Sequence, residues 1–155
     1  MSLKLAYDSK FSRGGQGVGK MIGVLITTHA GLGSELIRAA EMIKGEMPGV
    51  MHISIDQTSG MEEIKNEISA AIKKLDEGDG VLILTDLFGG TPANVSLSFM
   101  KEGKVEVVTG VNLPMLLKIS EGRDKMPLKE FARFIREYGV KNIYVASEIL
   151  DKKIG

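Results

Sequence analysis

The chain has no cysteine, which removes disulfides, thiolate metal sites and thiol nucleophiles together. It has no excess charge of either sign: twenty Lys and Arg balance twenty Asp and Glu. No overall field therefore draws it to nucleic acid or to an anionic membrane. It also lacks a basic stripe with interleaved aromatics, a second reason to expect no nucleic-acid partner. No apolar run approaches the length of a membrane span and no secretory signal is visible, so a cytoplasmic protein is expected. Histidine occurs only twice, and no His/Asp/Glu group has metal-ligand spacing, so neither a metal nor a cofactor is expected. With 155 residues, one domain with a sizeable core is the natural size class.

Residues 1–20 differ from the rest: they are rich in Gly, Ser and Lys, carry no sustained apolar periodicity, and give way to a second methionine, Met21. They read as a vector-derived or disordered leader, followed by a single domain over 21–155. Gly14 to Lys20 has the spacing Gly-x-x-x-x-Gly-Lys, but Met21 stands where a nucleotide P-loop needs Ser or Thr. A strand also follows where that loop would open a helix, which argues against a P-loop.

From Met21 onward strand and helix signals alternate. Ile22–Thr27 and Val81–Thr85 are continuous apolar runs, as expected of strands covered on both faces. Val50–Ile55 and Val105–Val108 are further strand candidates, and Ile143–Ala146 a last short one. Leu36, Ile37, Ala40, Ile43 and Met47 recur at helical spacing, as do Ile64, Ile68, Ala71, Ile72 and Leu75. Ser59 with Glu62 suggests a capping box. Thr91 reads as an N-cap with Pro92 at the first helical position, opening a helix to about Met100. Two more helical stretches span Leu113–Ile119 and Leu128–Tyr138. Short connections in such an alternation imply parallel strands with right-handed crossovers. The expected fold is an α/β open, doubly wound, mostly parallel sheet of order 2-1-3-4 with helices on both faces.

In such sheets ligands bind beyond the strand carboxyl ends, where the strand order reverses. With order 2-1-3-4 the reversal lies between strands one and three, which end in His29 and Asp86. A neutral imidazole is nucleophilic at one nitrogen when the other donates a hydrogen bond, and a carboxylate accepting that bond fixes the tautomer. A His–Asp pair with no Ser or Cys nucleophile suggests that the histidine itself attacks, with a phosphoryl group as the usual electrophile. Gly89-Gly90-Thr91 supports an anion site, because glycines permit close backbone approach. Each residue also has an ordinary role open to it: a turn histidine, an Asp bonded to its own backbone, a tight turn with a cap. His52, inside a strand pattern, reads as a packing or surface residue. Gly31-x-Gly33-x-x-Leu36, with Asp56 after strand two, partly matches a dinucleotide fingerprint, but Leu36 replaces the third glycine. A dinucleotide- or other small-ligand-binding module is therefore the competing reading.

Three blocks carry a resemblance: Ile26-Thr27-Thr28-His29-Ala30, then Asp86-Leu87-Phe88-Gly89-Gly90-Thr91-Pro92-Ala93-Asn94, then Gly110-Val111-Asn112-Leu113-Pro114-Met115. In order, they resemble the enzyme IIA domain of the mannose-type family of the bacterial phosphoenolpyruvate-dependent sugar phosphotransferase system, over Met21 to about Leu150. The resemblance implies that His29 accepts a phosphoryl group from HPr and passes it to a histidine of an enzyme IIB domain or protein. Asp86 would orient the ring so that Nε2 attacks, and Thr91, Gly89 and Gly90 would hold the phosphoryl oxygens. It further implies a homodimer, with the last short strand exchanged between subunits, and peripheral association with membrane permease components. A purely regulatory phosphorylation sensor is the variant reading within the same family.

Overall fold

The computed structural model describes residues 20–154; of the expected leader over 1–20, all but Lys20 lies outside the described residues. Four strands, β1 (Gly23–His29), β2 (Val50–Ile55), β3 (Val81–Thr85) and β4 (Val105–Thr109), form one sheet in the order β2-β1-β3-β4. Every pairing is parallel. The helices are α1 (Leu32–Lys44), α2 (Met61–Leu75), α3 (Thr91–Leu97), α4 (Leu113–Lys118), α5 (Leu128–Lys141) and α6 (Ala146–Ile154), with a 3₁₀ turn at Ile119–Glu121.

Burial explains the strand patterns. In β1 every residue but His29 is buried, and β3 is buried throughout, because both are central strands sandwiched between helices. In β2 only alternate residues, Met51, Ile53 and Ile55, are buried, as at a sheet edge with one face more open. Alternation along β1 splits the core in two. Val24 and Ile26 face Ala40 of α1, Leu116 of α4 and Phe131 and Ile135 of α5. Leu25 faces the other way, toward Ile64, Ile68 and Leu75 of α2 and Val95 of α3. The sheet is therefore doubly wound, as its connectivity requires. No helix among the described residues is long and apolar enough to cross a membrane.

Several local expectations shift. Gly60 occupies the N-cap of α2, without a side-chain cap; the Ser59 hydroxyl instead accepts from the Asp56 amide at 3.1 Å, closing the preceding turn. Thr91 is the first helical residue of α3 and Gly90 the N-cap. That helix stops at Leu97 because the Ser98 hydroxyl takes the Val95 carbonyl and the next amides bond three residues back. Ile43 is 57 % exposed, and Lys44, itself exposed, borders the cavity at the end of α1 beside Ala40. The expected last strand, Ile143–Ala146, is not one: Ile143–Val145 has no regular structure and Ala146 opens α6. A strand exists only through a hydrogen-bonded neighbour, and within the chain this segment pairs with none of the four.

Candidate functional site

The carboxyl ends of β1 and β3 lie side by side because Thr27 and Thr85 are register partners. His29 ends β1, and Asp86 directly follows β3. The next residue after His29, Ala30, takes φ of +48°, a left-handed conformation that costs a residue with a Cβ about 1 kcal/mol. It is held there by its amide bonding the Ile55 carbonyl at 3.0 Å. The sharp exit from β1 leaves the His29 side chain 48 % exposed while that of Asp86 is 9 % exposed.

Three hydrogen bonds fix Asp86. Its Oδ2 accepts from the His29 backbone amide at 2.9 Å and from the His29 ring at Nδ1, 2.7 Å away. Its Oδ1 accepts from the Leu87 amide at 3.0 Å. Burial pushes the Asp86 carboxyl up, but the bonds from His29 and Leu87 outweigh it and hold its pKa below the usual value. The group is therefore an anion near neutral pH, and an anionic carboxylate only accepts. In the neutral imidazole Nδ1 must then carry the ring proton, which leaves the lone pair on Nε2.

The 89–91 turn closes on the far side of the ring. Gly89 has φ of +92°, open to glycine without strain. At Gly90 a Cβ would fall 2.7 Å from His29 Cε1 and 3.3 Å from Nε2, so only a glycine lets the backbone lie this close to the ring. Asn94 ties the turn down: its amide bonds the Gly90 carbonyl at 2.9 Å and its side chain reaches the Gly89 carbonyl at 3.4 Å. Thr91 is exposed at the start of α3. The structure thus brings together His29, Asp86 and Gly90, with Gly89 and Thr91 flanking.

His52 stands apart. It pairs with Ile26, three residues before the level of His29, and lies half-buried near Gly33 of α1. Burial lowers its pKa, and its Nδ1 has no hydrogen-bond partner among the described residues. Gly33 of the partial dinucleotide pattern packs against Ile26, Thr28 and His52, which accounts for that glycine by helix–sheet contact. Among the described residues no group of three or more His, Cys, Asp or Glu is placed to hold a metal ion. A cavity of about 190 Å³ opens at the opposite end of the sheet, lined by Met21, Ala40, Leu116 and Arg123 among others. It is separate from His29. Arg123 there donates to the carbonyls of Ile22, Pro48 and Gly49, which pins the starts of two strands together.

Sequence reasoning assigned no role to Ala30 and Asn94, the residues that turn the chain out of β1 and fasten the 89–91 turn. The one local signal was their position, directly after a strand end and within the first turn of a helix; the bonds themselves are tertiary.

The family model described as PTS system fructose IIA component matches residues 23–136. The chain is similar to the PTS system fructose-specific EIIA component of Bacillus subtilis (strain 168), 32 % identical over 85 % of this chain and 91 % of that protein. It is similar to the PTS system mannose-specific EIIAB component of Escherichia coli (strain K12), 35 % identical over 68 % of this chain but only 33 % of that longer protein. Among solved structures, the PTS IIA protein associated with the fucose utilization operon of Streptococcus pneumoniae superposes with a TM-score of 0.73. It is 27 % identical, and the match covers 86 % of this chain and 99 % of that one.

Proposed function

This chain belongs to the mannose-type family of PTS IIA components, and from that premise we propose that it carries a phosphoryl group on Nε2 of His29. The observation that carries the reading is the single-sided pairing of the ring: Nδ1 is engaged by Asp86 at 2.7 Å, and the half-exposed side chain keeps its other nitrogen available. The donor is HPr phosphorylated on histidine. The Nε2 lone pair attacks phosphorus, the donor's P–N bond breaks, and its electron pair returns to the donor imidazole. Positive charge developing on the His29 ring is stabilised by the Asp86 carboxylate. The backbone of Gly89 and Gly90 and the hydroxyl of Thr91 hold the phosphoryl oxygens, because Gly90 already lies against the ring edge that carries Nε2. A second transfer of the same kind hands the group to a histidine of an enzyme IIB domain or protein, in peripheral contact with membrane permease components. Phosphoryl transfer depends mostly on positioning and electrostatics, and these are what the site supplies.

Incubation with phosphoenolpyruvate, enzyme I and HPr tests the reading. His29 becomes labelled with an acid-labile, alkali-stable adduct, His29→Ala takes up no label, and His52→Ala labels like the wild type. Labelling that survives in His29→Ala, or a melting temperature raised by NAD in a protein that HPr leaves unlabelled, would overturn it.

A further inference from the structure

The orientation of His29 depends on two elements: Asp86 on one side of the ring and the Gly90 backbone on the other. Asp86 follows a strand hydrogen-bonded to β1 along its length, so its position is set by the sheet. The 89–91 turn has no such frame. It leads into a seven-residue helix without a side-chain cap, whose buried apolar residues are Pro92, Ala93 and Val95. Apolar contacts of this kind tolerate sliding, whereas a hydrogen bond fixes distance and direction.

One polar link crosses from β1 to α3. Thr27 Oγ1 lies 3.1 Å from Ser96 Oγ, and Ser96 Oγ donates to the Pro92 carbonyl at 2.6 Å. Both residues are completely buried. A hydroxyl has one proton to give; that of Ser96 goes to Pro92, so Thr27 is the donor to Ser96. The relay thus has a direction, from Thr27 two residues before His29, through Ser96, to Pro92 two residues after Gly90. We infer that Thr27 and Ser96 are positioning residues which hold the Gly90 turn against the His29 ring, and so set the surroundings of the phosphoryl group on Nε2.

The same sheet face supplies the control. Thr85 is the register partner of Thr27, equally buried, and its hydroxyl has no partner among the described residues. A buried threonine at this level therefore does not by itself form a link to α3, and Thr85→Val removes a hydroxyl of the same kind without breaking one.

The test compares Thr27→Val with Ser96→Ala, Thr27→Val alone, Thr27→Ser and Thr85→Val. The double variant removes both ends of the link together, a methyl replacing the Thr27 hydroxyl and the Ser96 hydroxyl being deleted, so neither hydroxyl is left buried without its partner; should it fail to fold, Thr27→Val alone carries the same expectation. Two readouts are taken. In unphosphorylated protein, the nuclear Overhauser effect between His29 Cε1–H and the Gly90 α-hydrogens is strong in the wild type and weakens in the Val variants. With phosphorylated HPr, phosphoryl acceptance slows about ten- to a hundredfold in the Val variants, the scale of a misplaced reacting group, and the phosphohistidine hydrolyses faster. Thr27→Ser and Thr85→Val keep the wild-type Overhauser effect, rate and lifetime. The rate readout rests on the phosphocarrier reading and the Overhauser readout does not. An unlabelled wild type, together with a weakened Overhauser effect in the Val variants, refutes the carrier reading and supports the positioning role. An undiminished Overhauser effect in folded Val variants, or an equal slowing in Thr85→Val, overturns the positioning role.

Discussion

At His29 the ring is gripped through one nitrogen and one carbon edge, and the two grips have separable consequences. Asp86→Asn keeps size and an accepting oxygen but removes the charge that stabilises an imidazolium-like ring. Losing one charge-assisted hydrogen bond, roughly 1.5–3 kcal/mol, slows phosphoryl acceptance by about ten- to a hundredfold. Rapid-quench kinetics beside a melting curve would check this; wild-type rates in the folded variant would assign Asp86 to the turn alone. The depressed pKa of Asp86 also sets a pH window. A carboxyl whose folded pKa lies below its unfolded value of about 3.9 adds stability that is complete above that value and is lost as pH falls through the folded one. The melting-temperature gap between wild type and Asp86→Asn is therefore expected to narrow as the pH falls below about 4. Gly90→Ala acts on the other grip. Its φ of −85° is ordinary for alanine, so the fold persists, but the added methyl would meet Cε1 at 2.7 Å and turn the ring out. Acceptance falls with little change in stability.

Among the elements, β1 is one of the two central strands, paired with β2 on one side and β3 on the other. Its first residue, Gly23, shows how closely the helix layer is packed on it: a Cβ there would lie 2.6 Å from the Leu75 Cβ and 2.7 Å from the Leu75 carbonyl oxygen. The obstacle includes backbone, so the end of α2 would have to move. Gly23→Ala is expected to cost about 1–3 kcal/mol, the range for an overpacked core, read as a lowered urea midpoint with an unchanged slope. On the opposite face Phe131 of α5 is fully buried, and Phe131→Ala, which leaves a cavity, should cost about 3–5 kcal/mol. Neither residue is near His29 in role, so phosphoryl acceptance at temperatures where both variants are folded should remain.

Taken as a whole, the molecule leaves apolar surface at its carboxyl end. Val140, Ile143, Tyr144, Val145 and Leu150 are each 58–73 % exposed, and β4 is a sheet edge whose residues after Val105 are only half-buried. Among the described residues, a segment with no regular structure and a sheet edge with no further strand beside it are complementary. A homodimer in which Ile143–Val145 pairs with the partner's sheet is the arrangement we propose. Tyr144→Glu, on a side chain already 63 % exposed, should leave the subunit folded and shift light-scattering mass from dimer to monomer. A monomeric wild type at tens of micromolar would dismiss the arrangement.

Much of this was present in the residue order. The bounds of β2 and β3 coincide with the expected strands Val50–Ile55 and Val81–Thr85, since continuous burial and alternation are local patterns that a strand imposes residue by residue. His29 and Asp86 stood out because each is a polar residue at the end of such a run. Caps and helix ends moved by a residue or more, because Ser59 and Ser98 spend their hydroxyls on neighbouring turns, a choice among nearby partners that the sequence leaves open. The contacts that make a site of these residues are tertiary. His29 and Asp86 are 57 positions apart, and Thr27 and Ser96 are 69. Those pairs meet only because β1 and β3 share a register and α3 docks above them. Local sequence sets which face a side chain takes; the parallel pairing of distant strands decides what it finds there.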